Sequence, residues 1–334
     1  MNINVFFKKI LACPLCNNKT SVDKFSIKQL VWDVQVKKCN LCGMVYKAYM
    51  PNDNLLKYIY SPTYIHFNNY DVQQCKERDN NDVLSSRVKR LGVKTKNCRH
   101  LDYGCGSGAF VKSSLSAGWD SYGCDPFLPN NVDILLKDRL YKVDILDKEA
   151  INILGYFDVI SMWAVTEHLP NPLSTFKEIS LMLKPGGRLV FNWPNGDSII
   201  AKKHGNKWSM ALLLEHLTFI TPESVNWLAD NLNLSIEKIS YCGNPYPFGK
   251  VVNPELKDQG IEKLPFHAES TELVNNENAI LPKNDNQKNQ NIISILKDTI
   301  LTNNSSGYMT NFLRNLINIF RIGDHLEVVM MKRK

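Results

Sequence analysis

Four cysteines near the start of the chain are spaced for metal binding. Cys13-Pro-Leu-Cys16 and Cys39-Asn-Leu-Cys42 are two C-x2-C pairs separated by 22 residues. Two thiolates three residues apart in a tight turn can point at one ion, so the four fit a tetrahedral zinc site. Four sulfurs close the coordination shell, which makes such a site structural rather than catalytic. Asn17 and Gly43 follow the pairs and are residue types that accept the left-handed backbone of a knuckle. Cys75, Cys98, Cys105, Cys124 and Cys242 show no metal spacing and read as buried thiols. Farther on, Gly104-Cys-Gly-Ser-Gly108 lets the backbone pass close under a ligand. Asp102, two residues before it, puts a carboxylate where an ammonium group is welcome and a pyrophosphate is repelled. Asp125 stands where a carboxylate accepts both hydroxyls of a ribose, and Asp144 where one accepts an adenine amino hydrogen.

These groups need elements to hold them. Residues 25–36 partly alternate and are rich in β-formers, which predicts the strands of a small ribbon. Fifty residues bury little apolar surface, so the metal is expected to supply much of the ribbon's folding energy. The chain divides into a ribbon over 1–50, a connector over 51–97 with a helix at 79–91, and a larger domain over 98–334. In that domain the pattern predicts strands at 100–103, 119–125, 140–144, 157–163, 188–193, 234–241 and 324–331. Helices are predicted at 109–117, 172–183 and 221–231, the last capped by Thr221 with Pro222 at its first position. A turn is expected at 184–187. Alternating elements of this kind build a doubly wound, mostly parallel α/β sheet. Residues 244–322 interrupt it. Their centre, 275–291, holds seven Asn and is expected to be mobile, while 292–297 and 310–322 are apolar at helical spacing and are expected to cap the sheet.

The order of motifs is recognisable. Asp102-x-Gly-Cys-Gly-Ser-Gly108, Asp125-Pro126, Asp144-Ile145, Phe157-Asp-Val-Ile, Glu167-His-Leu-Pro-Asn-Pro172 and Leu183-Lys-Pro-Gly-Gly-Arg-Leu189 resemble the class I S-adenosylmethionine-dependent methyltransferases over about 98–241. The resemblance implies a seven-stranded Rossmann-like sheet whose last strand, 324–331 here, is antiparallel. It implies that Asp102 and the loop residues Gly104, Cys105, Gly106 and Gly108 bind the methionine end of the donor. Asp125 and Pro126 would hold the ribose, Asp144 and Ile145 the adenine, with Trp163 and Tyr64 as further donor contacts. With the four-Cys ribbon in front, the chain is similar to bacterial methyltransferases of the sugar, polysaccharide and natural-product type. The stretch Trp208…Glu215-His216-Leu-Thr-Phe-Ile-Thr-Pro222 fits that subgroup. Ribosomal RNA guanine methyltransferases also begin with a Cys-Pro-Leu-Cys ribbon, but their second ligand pair includes His at wider spacing.

Methyl transfer is an in-line displacement in which the enzyme aligns the acceptor and removes its proton. His168, just past the fourth strand, and His216, in the segment bordering the acceptor side, are the two candidates for the base, with Glu167 to orient a histidine or bind the donor. No Asn/Asp-Pro-Pro-Tyr/Phe tetrad follows the fourth strand, where Met162-Trp163-Ala164-Val165 stands instead. That disfavours the amide and base-amino N-methylation that the tetrad serves and favours an oxygen acceptor. The expected acceptor is a sugar, nucleotide-sugar, surface glycan or secondary metabolite, including phosphate-bearing ones. The alternatives are an RNA methyltransferase gripping through the ribbon and a non-catalytic scaffold of the same fold.

The chain has 40 Lys and Arg against 33 Asp and Glu, a net +7, and residues 1–50 hold eight Lys and two acids, or +6 of it. No apolar run approaches the ~18–20 residues of a membrane span, and Lys8 and Lys9 break the N-terminal apolar start, so a cytoplasmic protein with thiols and a Zn2+ site is expected rather than one with disulfides. The basic ribbon suits a phosphate-bearing acceptor as well as a nucleic acid.

Overall fold

The computed structural model describes residues 3–29, 31–60, 98–130, 132–147, 150–242 and 323–334. The ribbon comprises β1 (Phe7–Lys9), β2 (Ser21–Gln29), β3 (Trp32–Cys39), β4 (Val45–Lys47) and β5 (Tyr49–Pro51). β2 and β3 form an antiparallel hairpin from Ser21↔Cys39 to Gln29↔Trp32, with a register shift between Asp23 and Phe25. Ile27, Val34 and Val36 turn into the core while Asp33, Gln35 and Lys28 face outward, as period-2 patterning requires. α1 (Asp53–Ile59) follows, within the stretch expected to be a connector, and Asn52 caps it by accepting the Leu55 N–H at 3.0 Å.

The larger sheet is built from β6 (Arg99–Tyr103), β7 (Asp120–Cys124), β8 (Leu140–Tyr141), β9 (Phe157–Met162), β10 (Leu183–Pro194), β12 (Leu234–Cys242) and β13 (His325–Lys332). Its order is β12-β13-β10-β9-β6-β7-β8, and β13 runs antiparallel to both neighbours while the other pairings are parallel. This is the seven-stranded, mostly parallel, methyltransferase-like sheet that the motifs implied. The intervening helices are α2 (Ala109–Ser116), α3 (Ala150–Leu154), α4 (Pro172–Met182), α5 (Ile199–His204), α6 (Ser209–Leu212) and α7 (Pro222–Asn231). Thr221 caps α7 by accepting the Ser224 N–H at 3.2 Å. The predicted third strand is shorter than expected, so Asp144 lies beyond its end. The expected turn at 184–187 is absorbed into β10 as a register shift between Leu183 and Arg188.

Among the elements not expected from sequence, one joins the ribbon to the larger domain. β11 (Thr218–Phe219) leaves the larger domain and pairs with β4, Thr218 opposite Tyr46 and Phe219 opposite Val45, so the ribbon sheet has the order β11-β4-β3-β2. Trp193, buried on β10 and stacked on Phe176 at 5.8 Å, donates its indole N–H to the Thr218 carbonyl at 3.0 Å. The knuckle closes the same join. Gly43 sits at φ +73, and a Cβ there would stand 2.3 Å from Glu223 Oε2 and 2.9 Å from Thr221 Oγ1, so only glycine allows this approach. Lys24 and Lys38 both reach Asp197, at 2.7 and 2.6 Å. Cys13, Leu15, Met44 and Tyr46 of the ribbon therefore share one apolar core with Leu217, Ile220 and Val225.

Candidate active site

The donor side lies at the carboxyl ends of β6, β7 and β8. Asp102 is buried and accepts the Ser161 hydroxyl at 2.7 Å. The loop after β6 turns sharply: Gly104 has φ +71, and a Cβ on it would strike Val165 at 2.4 Å. Nothing lies within 4 Å of where a Cβ on Gly106 would stand, so the loop faces open space there. Asp125 accepts the Gly106 N–H at 3.0 Å and the Phe127 N–H at 2.8 Å, which locks the loop to the end of β7. Burial pushes its carboxyl above the usual range, against those two hydrogen bonds. Asp144 accepts from the Tyr103 phenol at 3.2 Å and from the Leu146 N–H at 3.0 Å. Ile145 and Cys105 are buried, Trp163 meets Phe110 edge-on at 5.9 Å, and Pro126 is half-buried beside Asp125. Tyr64 lies outside the described residues. The donor candidates that are described thus cluster at one edge of the sheet, where ligands of such sheets bind.

A hydrogen-bond relay runs inward from Asp102. His100, fully buried on β6, meets Ser161 Oγ through Nε2 at 2.8 Å and Ser121 Oγ through Nδ1 at 2.7 Å. Burial drops its pKa to about 3, so the ring is neutral. Because the Ser161 hydroxyl gives its proton to Asp102, it can only accept from His100, which places the imidazole proton on Nε2.

The candidate residues of the acceptor side come together where the segment after β9 meets the segment before β11. The titratable atoms of Glu167, His168 and His216 lie within 4.8 Å of one another, and the two imidazole rings meet edge to face at 5.0 Å. The Tyr60 phenol is 3.1 Å from His168 Nδ1, and its ring stacks on Phe127 at 4.5 Å. Burial, with Lys47 nearby, lowers the His168 pKa to about 4, and burial with His168, Lys47 and His325 holds His216 well below the ordinary histidine value. Burial raises Glu167 to about 7. His216 Nδ1 is buried with no hydrogen-bond partner. Glu215 is buried beside it, and its Oε2 is likewise without a hydrogen-bond partner.

Sequence reasoning singled out Glu167, His168 and His216, and the structure brings them together. It did not single out Lys47, Glu215 or the Asp324–His325 pair. Glu215 lay within a motif already quoted and was passed over for its neighbour. Lys47 was indistinguishable from seven other ribbon lysines. His325 opens β13, on the far side of residues 244–322.

In the ribbon, Cys13 Sγ is 3.6 Å from Cys42 Sγ, and Cys16 Sγ is 3.4 Å from Cys39 Sγ. Tetrahedral ligands at a Zn–S distance of about 2.3 Å stand about 3.8 Å apart, so the four thiols fit one zinc ion. The Leu41 N–H and the Asn18 amide also reach Cys39 Sγ, at 3.4 and 3.7 Å, as outer partners of a metal thiolate do.

Among known proteins, the model of a family described as a methyltransferase domain matches residues 76–239. The ubiquinone biosynthesis O-methyltransferase of Escherichia coli O9:H4 (strain HS) is 29% identical over 133 residues, covering 38% of this chain and 52% of that protein. The chain thus spans about half the length of the curated relatives it matches. Among solved structures, a SAM-dependent methyltransferase from Archaeoglobus fulgidus shares 18% identity with a TM-score of 0.44, covering 79% of this chain and 99% of that one. Magnesium protoporphyrin IX methyltransferase from Synechocystis PCC 6803 shares 14% identity with a TM-score of 0.43, covering 58% and 94%.

Proposed function

We propose that this chain, whose residues 76–239 match a methyltransferase domain, is an S-adenosylmethionine-dependent O-methyltransferase acting on a hydroxylated acceptor. The acceptor class is a sugar, nucleotide-sugar, surface glycan or secondary metabolite, and His216 is the base. The observation that carries this reading is the bare, buried Nδ1 of His216. Burial holds the His216 pKa well below its ordinary value, so the ring is neutral at physiological pH, and a neutral imidazole has one nitrogen able to take a proton. The orphaned Oε2 of Glu215 supplies a second acceptor for a ligand rich in hydroxyls, and buried polar atoms of this kind are seldom left unpaired. His168, its Nδ1 facing Tyr60, is a neighbour of the base rather than the base itself. The O-methyltransferase name of the relatives points the same way for the matched 133 residues.

When bound, S-adenosylmethionine supplies a methyl group on a sulfonium, already activated for displacement. Asp102 would pair with its ammonium, and Asp125 and Asp144 would accept from the ribose and the adenine. His216 would receive the acceptor hydroxyl proton as the oxygen attacks. Tyr60 and Phe127 wall the region between the two sides. The zinc ribbon is a structural part of the same unit.

The test is turnover on a panel of nucleotide-sugars and glycans, followed by mass spectrometry of the product. His216→Phe is expected to lose at least about 100-fold in kcat, the usual worth of a positioned base, with donor affinity by calorimetry unchanged. The acid limb of kcat/KM is expected well below the ordinary histidine range, because burial holds the His216 pKa well below its usual value. A limb near pH 7 would move the essential ionisation to Glu167, whose carboxyl stands at about 7. Full turnover in His216→Phe would sink the assignment.

A further inference from the structure

Seven of the eight ribbon lysines have an environment open to water, and one does not. Lys47 on β4 is 1% exposed. Its ammonium donates to the Gln29 amide oxygen at 2.9 Å and to the Leu213 carbonyl at 2.6 Å. Gln29, also buried, turns its own amide N–H to the Leu212 carbonyl at 2.9 Å. The Lys47 backbone N–H donates to the Leu217 carbonyl at 3.1 Å. Two adjoining ribbon side chains and one strand N–H therefore hold both ends of residues 212–217, the stretch that presents Glu215 and His216. Its far end continues the chain of contacts, because the Leu217 N–H donates to the Glu167 carbonyl at 2.7 Å.

We propose that Lys47 is a positioning residue of the acceptor site, through which the four-Cys ribbon holds the Glu215–His216 segment in place and becomes a working part of the catalytic unit. The inference rests on the reading of His216 as the base. A buried ammonium is costly, and a methionine of similar length would fill the space without that cost, so a purely structural role leaves the charge unexplained. The charge has an electrostatic consequence. Glu215 faces Lys47 and favours its ionised form, while burial lowers its pKa to about 7. Lys47 in turn disfavours protonation of both His168 and His216. The other groups around the two rings are Glu167, Tyr60 and His325. His325 is itself buried but raised by its hydrogen bond to Asp324 at 2.9 Å. Burial, with Lys47 adding to it, keeps the two imidazoles neutral, the state in which His216 can accept a proton.

The experiment compares the full chain with its Lys47→Met and Gln29→Leu variants. Donor affinity is measured by calorimetry, kcat/KM across pH, and the imidazole titrations of His168 and His216 by NMR. Lys47→Met is expected to lower kcat/KM at least tenfold, to leave the donor affinity within twofold, and to raise both imidazole titrations, moving the acid limb upward. Gln29→Leu keeps the charge and is expected to lower kcat/KM threefold or more without moving the titrations. Unmoved titrations and full turnover in Lys47→Met would overturn the proposal. If Lys47→Met does not fold, undiminished turnover in Gln29→Leu overturns it instead. Absence of donor binding and turnover in the unaltered chain would count against the methyltransferase reading, whereas the NMR titrations report on Lys47 in either case.

Discussion

At the scale of single residues, the most informative arrangement is the relay from Asp102 through Ser161 and His100 to Ser121. It fixes the direction of the Asp102 carboxylate by a hydrogen bond from Ser161, and that serine is fixed in turn by an imidazole with one allowed tautomer. Removing the Ser161 hydroxyl takes one hydrogen bond from Asp102 and leaves His100 Nε2–H buried without that acceptor. Hydrogen bonds to charged groups contribute about 1.5–3 kcal/mol. Ser161→Ala is therefore expected to weaken donor binding by roughly tenfold or more, since 1.4 kcal/mol is a factor of ten. The nitrogen chemical shifts of His100 should show the proton on Nε2 in the unaltered protein. Donor affinity unchanged in Ser161→Ala, or an Nδ1–H tautomer in the unaltered chain, would remove the relay from any account of donor binding. Asp102 was legible in the sequence because its distance to the glycine loop is local. The relay was not, because His100 meets Ser121 and Ser161 across strands 21 and 61 residues away.

At the scale of elements, the long periodic segments were readable and the join was not. β6, α2, β9, α4 and β12 carry their own patterning, and they stand within a residue or two of where pattern alone puts them. β11 has two residues and no period of its own, and its conformation comes from the exposed edge of β4. The same edge decides how metal loss will act. A ribbon that merely preceded the enzyme would melt alone on chelation. This one shares a core and a strand with the domain, and Gly43 of its knuckle lies against the N-terminus of α7. Stripping zinc with a strong chelator is expected to abolish turnover and to lower the melting temperature of the whole protein as one transition, because the binding energy of a structural zinc is folding energy. A separate low-temperature ribbon transition, with turnover and the main transition both intact after complete metal removal, would contradict this coupling.

At the scale of the whole molecule, the net +7 was legible and its use was not. Sequence counting puts eight lysines in the first fifty residues, which suits a phosphate-bearing acceptor as well as a nucleic acid. Their partners show most of them employed elsewhere. Lys24 and Lys38 clamp Asp197, and Lys38 also reaches Glu223 at 2.9 Å. Lys28 and Lys37 pair with Asp33 and Asp23 across the β2–β3 hairpin, and Lys47 is buried. Among the described residues of the ribbon, this leaves Lys8, Lys9 and Lys19 outside any ion pair. For single-stranded RNA the affinity falls with salt at a logarithmic slope of about −0.7 per phosphate neutralised. Three free lysines therefore allow a slope no steeper than about −2. Filter binding of single-stranded RNA from 50 to 200 mM salt is expected to show weak affinity and a slope within that limit. A slope steeper than about −4 with tight binding would require more cations than the ribbon has to spare. That result would restore RNA as the acceptor in place of a hydroxylated small molecule or glycan.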